Sequence, residues 1–121
     1  MSNAFTGQLI ATLSTGASTD RTKSIARTLT VAETFWTEAR LAAGASNEAI
    51  ALNLLTLPKA IVVFGGPDVW VRLSNDAVTP KLYADPYLVL FNQKSGMAQT
   101  SLWLGNDGTG ECIITVIAVE S

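Results

Sequence analysis

The side chains able to do chemistry in this 121-residue chain are carboxylates, one thiol and three indoles, and there is no histidine. Without imidazole the Ser-His-Asp and Cys-His nucleophile arrangements are excluded, and so is the commonest metal ligand. Acid–base chemistry would then fall to a carboxylate pair. Glu33 and Glu38 share one predicted strand, but their opposite parity sends them to opposite faces. Glu48, Asp68, Asp76, Asp85 and Asp107 stand at turns or strand ends, where carboxylates are expected to be solvated. Nothing in their spacing builds a glycosidase-like pair. Cys112 is the single cysteine, so an intrachain disulfide and a thiolate zinc site are excluded. It opens the run Cys112-Ile113-Ile114-Thr115-Val116-Ile117 and reads as a small buried hydrophobe. The loop Gly105-Asn106-Asp107-Gly108-Thr109-Gly110 lacks the alternating ligands and distal Glu of an EF-hand and the lysine of a P-loop. It reads as a hairpin turn. The expectation is a protein with no catalytic residues, no metal and no cofactor.

The indoles point elsewhere. Trp36, Trp70 and Trp103 each stand opposite the apolar parity of their own strand. If Val69, Val71 and Leu73 face the core, as do Leu102 and Leu104, then Trp70 and Trp103 face outward. Outward tryptophans on strands suggest a covered surface such as a subunit interface. The alternatives are a sheet buried on both faces and a platform that stacks sugars. The last strand favours a covered surface. Cys112, Ile114, Val116 and Ala118 fall on one face, while Ile113, Ile117 and Val119 fall on the other, with Thr115 the one polar residue. A strand apolar on both faces has something packed on each side. The candidate interface residues are therefore Trp36, Trp70, Trp103, Ile113 and Ile117.

The elements that must carry these residues are short strands. Residues 24–43 fit a helical stripe in part, yet Thr28, Thr30, Val31, Thr34, Phe35, Trp36 and Thr37 are β-branched or aromatic and favour strands. Further strands are predicted at residues 48–52, 60–64, 69–73, 81–84, 87–91, 100–104 and 112–119. They are separated by turn signals at residues 44–47, 65–68, 74–76 and 92–96. The expected fold is an all-β antiparallel β-sandwich or jelly-roll-like domain of about eight short strands, spanning residues 24–121. Residues 1–23 are read as an N-terminal arm, with a strand at residues 5–13 and a flexible loop rich in Ser, Thr and Gly at residues 14–24.

Composition narrows the partners. The net charge is −2 and the eight Lys and Arg are scattered, which disfavours nucleic acid and an anionic membrane surface. No run approaches the ~18 apolar residues of a membrane span, and the N-terminus does not read as a secretory signal. Hydrophobic residues make up 48% but charged residues only 15%, below the roughly one quarter usual for soluble domains. So small a charged fraction implies that other subunits cover part of the surface.

One stretch, from Ser46 to Val119, resembles a group of small β-sandwich virion proteins of tailed bacteriophages. The likeness lies in the order of patterns. Residues 41–52 supply a strand, a turn and a short strand. Lys59-Ala60-Ile61-Val62-Val63, Asp68-Val69-Trp70-Val71-Arg72-Leu73-Ser74 and Pro86-Tyr87-Leu88-Val89-Leu90 follow. Thr100-Ser101-Leu102-Trp103-Leu104 and an apolar terminal strand close the chain across a Gly-rich turn. Gly65-Gly66-Pro67 departs from the more polar turn of that pattern, and the first forty residues match nothing in it. The resemblance implies a non-enzymatic capsid decoration, fibre-base or neck and tail accessory subunit. Such a subunit forms a homo-oligomer and binds other virion proteins, and it is made in a host cytoplasm and ends in the virion. The alternative is a carbohydrate-binding β-sandwich module.

Overall fold

The computed structural model describes residues 3–13, 21–52, 55–92 and 94–120. Among the described residues ten strands are formed: β1 (Asn3–Leu13), β2 (Arg21–Val31), β3 (Glu33–Leu41), β4 (Glu48–Ala51), β5 (Ala60–Phe64), β6 (Val69–Arg72), β7 (Leu82–Tyr83), β8 (Tyr87–Phe91), β9 (Ser101–Asn106) and β10 (Cys112–Glu120). No helix occurs among the described residues. The β-branched and aromatic content of residues 24–43 thus outweighs their partial helical stripe, as those residues run through β2 and β3.

Strands β3 to β10 form two antiparallel sheets, ordered β3-β10-β5-β8 and β4-β9-β6-β7. Their inner faces make one core, in which Leu41, Val63, Val71, Leu102, Leu104 and Val116 are all essentially inaccessible. The topology is that of a jelly roll. The chain changes sheets at nearly every connection, and β6–β7 is the one sequential pair among the eight. This corrects the reading of the Gly105–Gly110 stretch as a hairpin loop. β9 and β10 belong to different sheets, so the loop between them crosses the sandwich edge. Turn residues announce that the chain reverses, but they do not say which sheet receives the next strand.

The crossings are tied down by polar contacts. Gly44, at φ 75°, takes a left-handed turn conformation that glycine adopts without Cβ strain. Its N–H donates to the Asn106 carbonyl at 2.9 Å, and the Asn106 N–H donates to the Ala45 carbonyl at 2.9 Å. The Glu120 carboxylate accepts from the Thr56 N–H and hydroxyl and from the Leu57 N–H, fixing the β4–β5 crossing to the end of β10.

Strands β1 and β2 stand apart as a two-stranded antiparallel unit, in register from Asn3↔Val31 to Leu13↔Arg21. The two-stranded unit therefore continues to Val31, eight residues past the arm boundary expected at residue 23, and the sandwich starts at Glu33. Of the flexible loop expected at residues 14–24, residues 14–20 lie outside the described residues, and residues 21–24 are strand. Phe5, Leu29 and Val31 at the base of this unit pack on Ala60 and Val119. These two residues are cross-strand partners on the outer face of β5 and β10.

Candidate functional site

The outer face of sheet β3-β10-β5-β8 follows directly from strand parity. With Ile61, Val63, Ile114, Val116 and Ala118 in the core, the alternate residues must point away from it. In register these are Trp36↔Ile117↔Val62↔Val89 along one row and Arg40↔Ile113 along another. Phe64↔Tyr87 adds a third pair, its rings edge to face with centroids 6.4 Å apart. A β-sandwich with one solvated outer face normally lines it with polar residues. Here Trp36 is 67% exposed, Ile113 56%, Val89 48% and Phe64 47%. Three of the five candidate interface residues, Trp36, Ile113 and Ile117, are brought together on this face. Thr115, Glu38 and the ion pair of Arg40 with Glu111 (2.8 Å, exposed) supply its polar part.

The other two tryptophans lie on the outer face of the opposite sheet. Parity placed them on the correct side, but Trp70 is only 1% exposed. This overturns its reading as an exposed interface or stacking residue. Its cross-strand partner is Gly105, so the indole lies across a strand position that has no side chain. The Arg72 guanidinium sits 4.7 Å from the ring centroid and the Lys81 ammonium 4.8 Å. Arg72 is itself held by the Thr79 carbonyl at 3.0 Å and the Asn47 side-chain oxygen at 3.1 Å. Trp103, opposite both Arg72 and Ala49, is half-buried. Trp70 is therefore covered by its own chain. Single-sequence parity tells which face a side chain takes, but not what covers it there.

Asp107 closes this cluster. Trp70 Nε1–H donates to Oδ1 at 2.9 Å and the Tyr83 hydroxyl donates to Oδ2 at 2.6 Å. Lys81 Nζ lies 3.5 Å from Oδ1. The Tyr83 bond first, then the Trp70 bond and Lys81, hold the Asp107 carboxyl below its ordinary range. The same bond to Asp107 pushes the Tyr83 phenol above its ordinary range. A depressed carboxylate stabilises the fold above its unfolded pKa, and that stability is lost as pH falls through the folded value, below about pH 4. The raised phenol acts at the other end, with stability lost as pH climbs from about 10 through the folded value. Trp70 fluorescence is expected to show an acid transition that disappears in Asp107→Asn. A flat emission in the folded wild-type protein from pH 7 to pH 2 would refute this.

Glu33 and Glu38 take opposite faces of β3, as expected from their spacing. Asp76 is engaged by its own turn, accepting from the Thr79 N–H at 2.6 Å and the Thr79 hydroxyl at 2.7 Å. These bonds hold it below the usual carboxylate range. A depression of about 240 Å³ beside the two crossing loops is lined in part by Asp68, Glu111 and Cys112. Among the described residues, no three His, Cys, Asp or Glu are placed to hold a metal ion. Cys112 is half-buried, less enclosed than its apolar run suggested. No helix of the described residues is long and apolar enough to cross a membrane. The chain matches no protein-family model and no curated protein.

Proposed function

We propose that this chain is a non-enzymatic structural subunit of a tailed-phage virion that attaches to other virion proteins through the outer face of sheet β3-β10-β5-β8. The observation that carries the reading is the exposed apolar surface of that face, centred on Trp36, Ile113, Phe64 and Val89. Exposed apolar patches of this kind mark interaction sites. The jelly roll adds support, since capsid domains use it, although lectins do too. The energetics suffice. An interface of ordinary size buries about 1,600 Å². If half of that is apolar, burial contributes roughly 20 kcal/mol at ~25 cal/mol per Å². Association costs on the order of 4–15 kcal/mol before side-chain ordering and polar desolvation, so burial of this size is enough to offset the larger part of the cost, and repetition across a particle adds avidity.

The test is mass spectrometry of gradient-purified particles that carry the gene. The chain is expected in stoichiometric amounts, in hundreds of copies for shell decoration or about a dozen for a neck, tail or vertex position. Absence from the particles overturns the reading. The carbohydrate-binding alternative rests now on Trp36, the most exposed of the three indoles. Under the proposed reading, titration with glycans quenches no tryptophan emission, whereas a saturable quench abolished by Trp36→Ala would favour the alternative.

A further inference from the structure

The two-stranded β1–β2 unit is longer than the sheet it rests on. Val119, Ala60 and Phe91 form one cross-strand row over β10, β5 and β8. The unit follows that row, with Phe5, Leu29 and Val31 on Val119 and Ala60. A Cβ at Gly7 would touch the Phe91 ring at 3.5 Å. β8 is the edge of its sheet. From β10 to β8 the row spans about 10 Å at the usual strand spacing. The unit has crossed it by Gly7, and the six residues beyond, to Leu13, extend about 20 Å further. They and their β2 partners thus overhang the edge.

The overhang continues the apolar face that packs at the base. Leu9 lies on the side of β1 that carries Phe5, and its partner Ile25 on the side of β2 that carries Leu29. Leu9 is 59% exposed and Ile25 47%. Val89, two residues from Phe91 on β8, stays 48% exposed, so the unit does not fold back along β8. One apolar face therefore docks on this sheet at its base and is bare at its end, and Phe64, Tyr87 and Val89 stay exposed where the unit does not reach.

We propose that the occupant is a second copy of this chain: the overhanging Leu9–Ile25 pair of one copy docks on the exposed Phe64, Tyr87 and Val89 of the outer face of β5 and β8 of the next. The contact extends one the chain already makes with itself, an apolar β1–β2 face on the outer face of the same sheet. The exposed surface is of the right size. The chain exposes 7438 Å², close to a fifth above the ~6,300 Å² of a compact monomer of this mass. That excess, roughly 1,100 Å², exceeds the ~800 Å² each partner contributes to an ordinary interface. An arm-to-face contact joins unlike surfaces; the discrete assemblies it allows are a two-fold pair that exchanges arms and a closed ring of copies joined head to tail. This inference rests on reading that sheet face as a docking surface, and it gives the β5–β8 side to the arm while leaving Trp36 and Ile113 on β3 and β10 to other virion proteins.

Light scattering on the full chain at tens of micromolar is expected to give one discrete oligomeric mass. Leu9→Asp, Ile25→Asp and Val89→Lys, all at exposed positions, should each weaken association about tenfold or more with unchanged far-ultraviolet circular dichroism. In a Cys112→Ser background, mixing a Leu9→Cys chain with a Val89→Cys chain should give disulfide-linked heterodimers. A monomeric wild-type protein overturns the proposal. So does an oligomer that survives both arm substitutions, or one that yields no mixed disulfide. An oligomer lost in Val89→Lys but intact in Leu9→Asp and Ile25→Asp refutes the arm while leaving the face as a docking surface. Presence in particles is measured separately, so the two readings fail independently.

Discussion

Gly105→Ala is expected to lower the unfolding free energy by about 3 kcal/mol and the melting temperature by roughly 10 °C. The cause is Trp70. A Cβ at position 105 would fall inside the indole, overlapping Cζ2 and Cε2. The clash cannot be relieved by a flexible side-chain tip, because the ring is 1% exposed and pinned through Nε1 to Asp107. Either β9 shifts, or the indole swings out. Overpacking of this kind costs about 1–3 kcal/mol. Swinging out also gives up a hydrogen bond of about 1 kcal/mol and two cation–π contacts of roughly 0.5–2 kcal/mol each. Trp70→Ala removes the ring instead and should cost about 3–5 kcal/mol. The pair should be strongly non-additive. With the indole gone, alanine at 105 meets no ring and should cost little. Denaturant titration of the two single variants and the double variant measures this. A Gly105→Ala protein as stable as wild type, with unaltered Trp70 emission, would show that the indole does not depend on the missing side chain.

That cluster also marks where the sequence stops being legible. Strand positions and faces are local properties. The run Ala60–Phe64, the alternation in Val69–Arg72 and the two-faced apolar pattern of Cys112–Glu120 each announce a strand and its inner side. For the same reason the outer face holding Trp36, Ile113 and Ile117 was readable. Pairing is not local. Gly105 meets Trp70 across thirty-five positions of sequence, and nothing near either residue says so. Arg72 shares the strand face of Trp70 two residues on, but Lys81 covers the indole because β6 and β7 happen to pair. The jelly-roll order was hidden behind the turns at residues 65–68 and 105–110 for the same reason. β1 and β2 pair with each other along their full length, but the Ser, Thr and Gly between them read as a loose joint, which placed the end of the arm too early. The exposed apolar residues on the outer faces of β5 and β8, Phe64, Tyr87 and Val89, were missed as surface. Their signal was present, since an apolar run such as Ala60–Phe64 needs cover on both faces.

Asn106→Leu should destabilise the sandwich by about 2–4 kcal/mol despite its similar volume, through polar groups left behind. Asn106 is the buried polar residue among those described, at 1% exposure. Its side-chain amide donates to the Leu41 carbonyl at 3.1 Å and to the Gly110 carbonyl at 2.9 Å, and its oxygen accepts from the Gly108 N–H at 2.9 Å. It therefore joins the end of β3 to the β9–β10 crossing. Leucine would leave the buried Leu41 carbonyl unpaired, at about 1–3 kcal/mol, and would strip the Gly108 N–H and Gly110 carbonyl of their partner nearer solvent, where the penalty is smaller. Asn106→Asp separates hydrogen bonding from volume. The carboxylate still accepts from Gly108, but it faces two carbonyls where the amide donated. Burial and those carbonyls favour its protonated form, which restores one donor, so its folded pKa is raised. The folded state then holds more protons than the unfolded state between the two pKa values, and stability falls as pH rises through that window. Urea titrations of Asn106→Asp are expected to give a higher midpoint at pH 5 than at pH 8, with the difference well beyond that of wild type. Equal midpoints at the two pH values would mean that the loop opens to water in the variant, and that Asn106 does not hold the crossing shut.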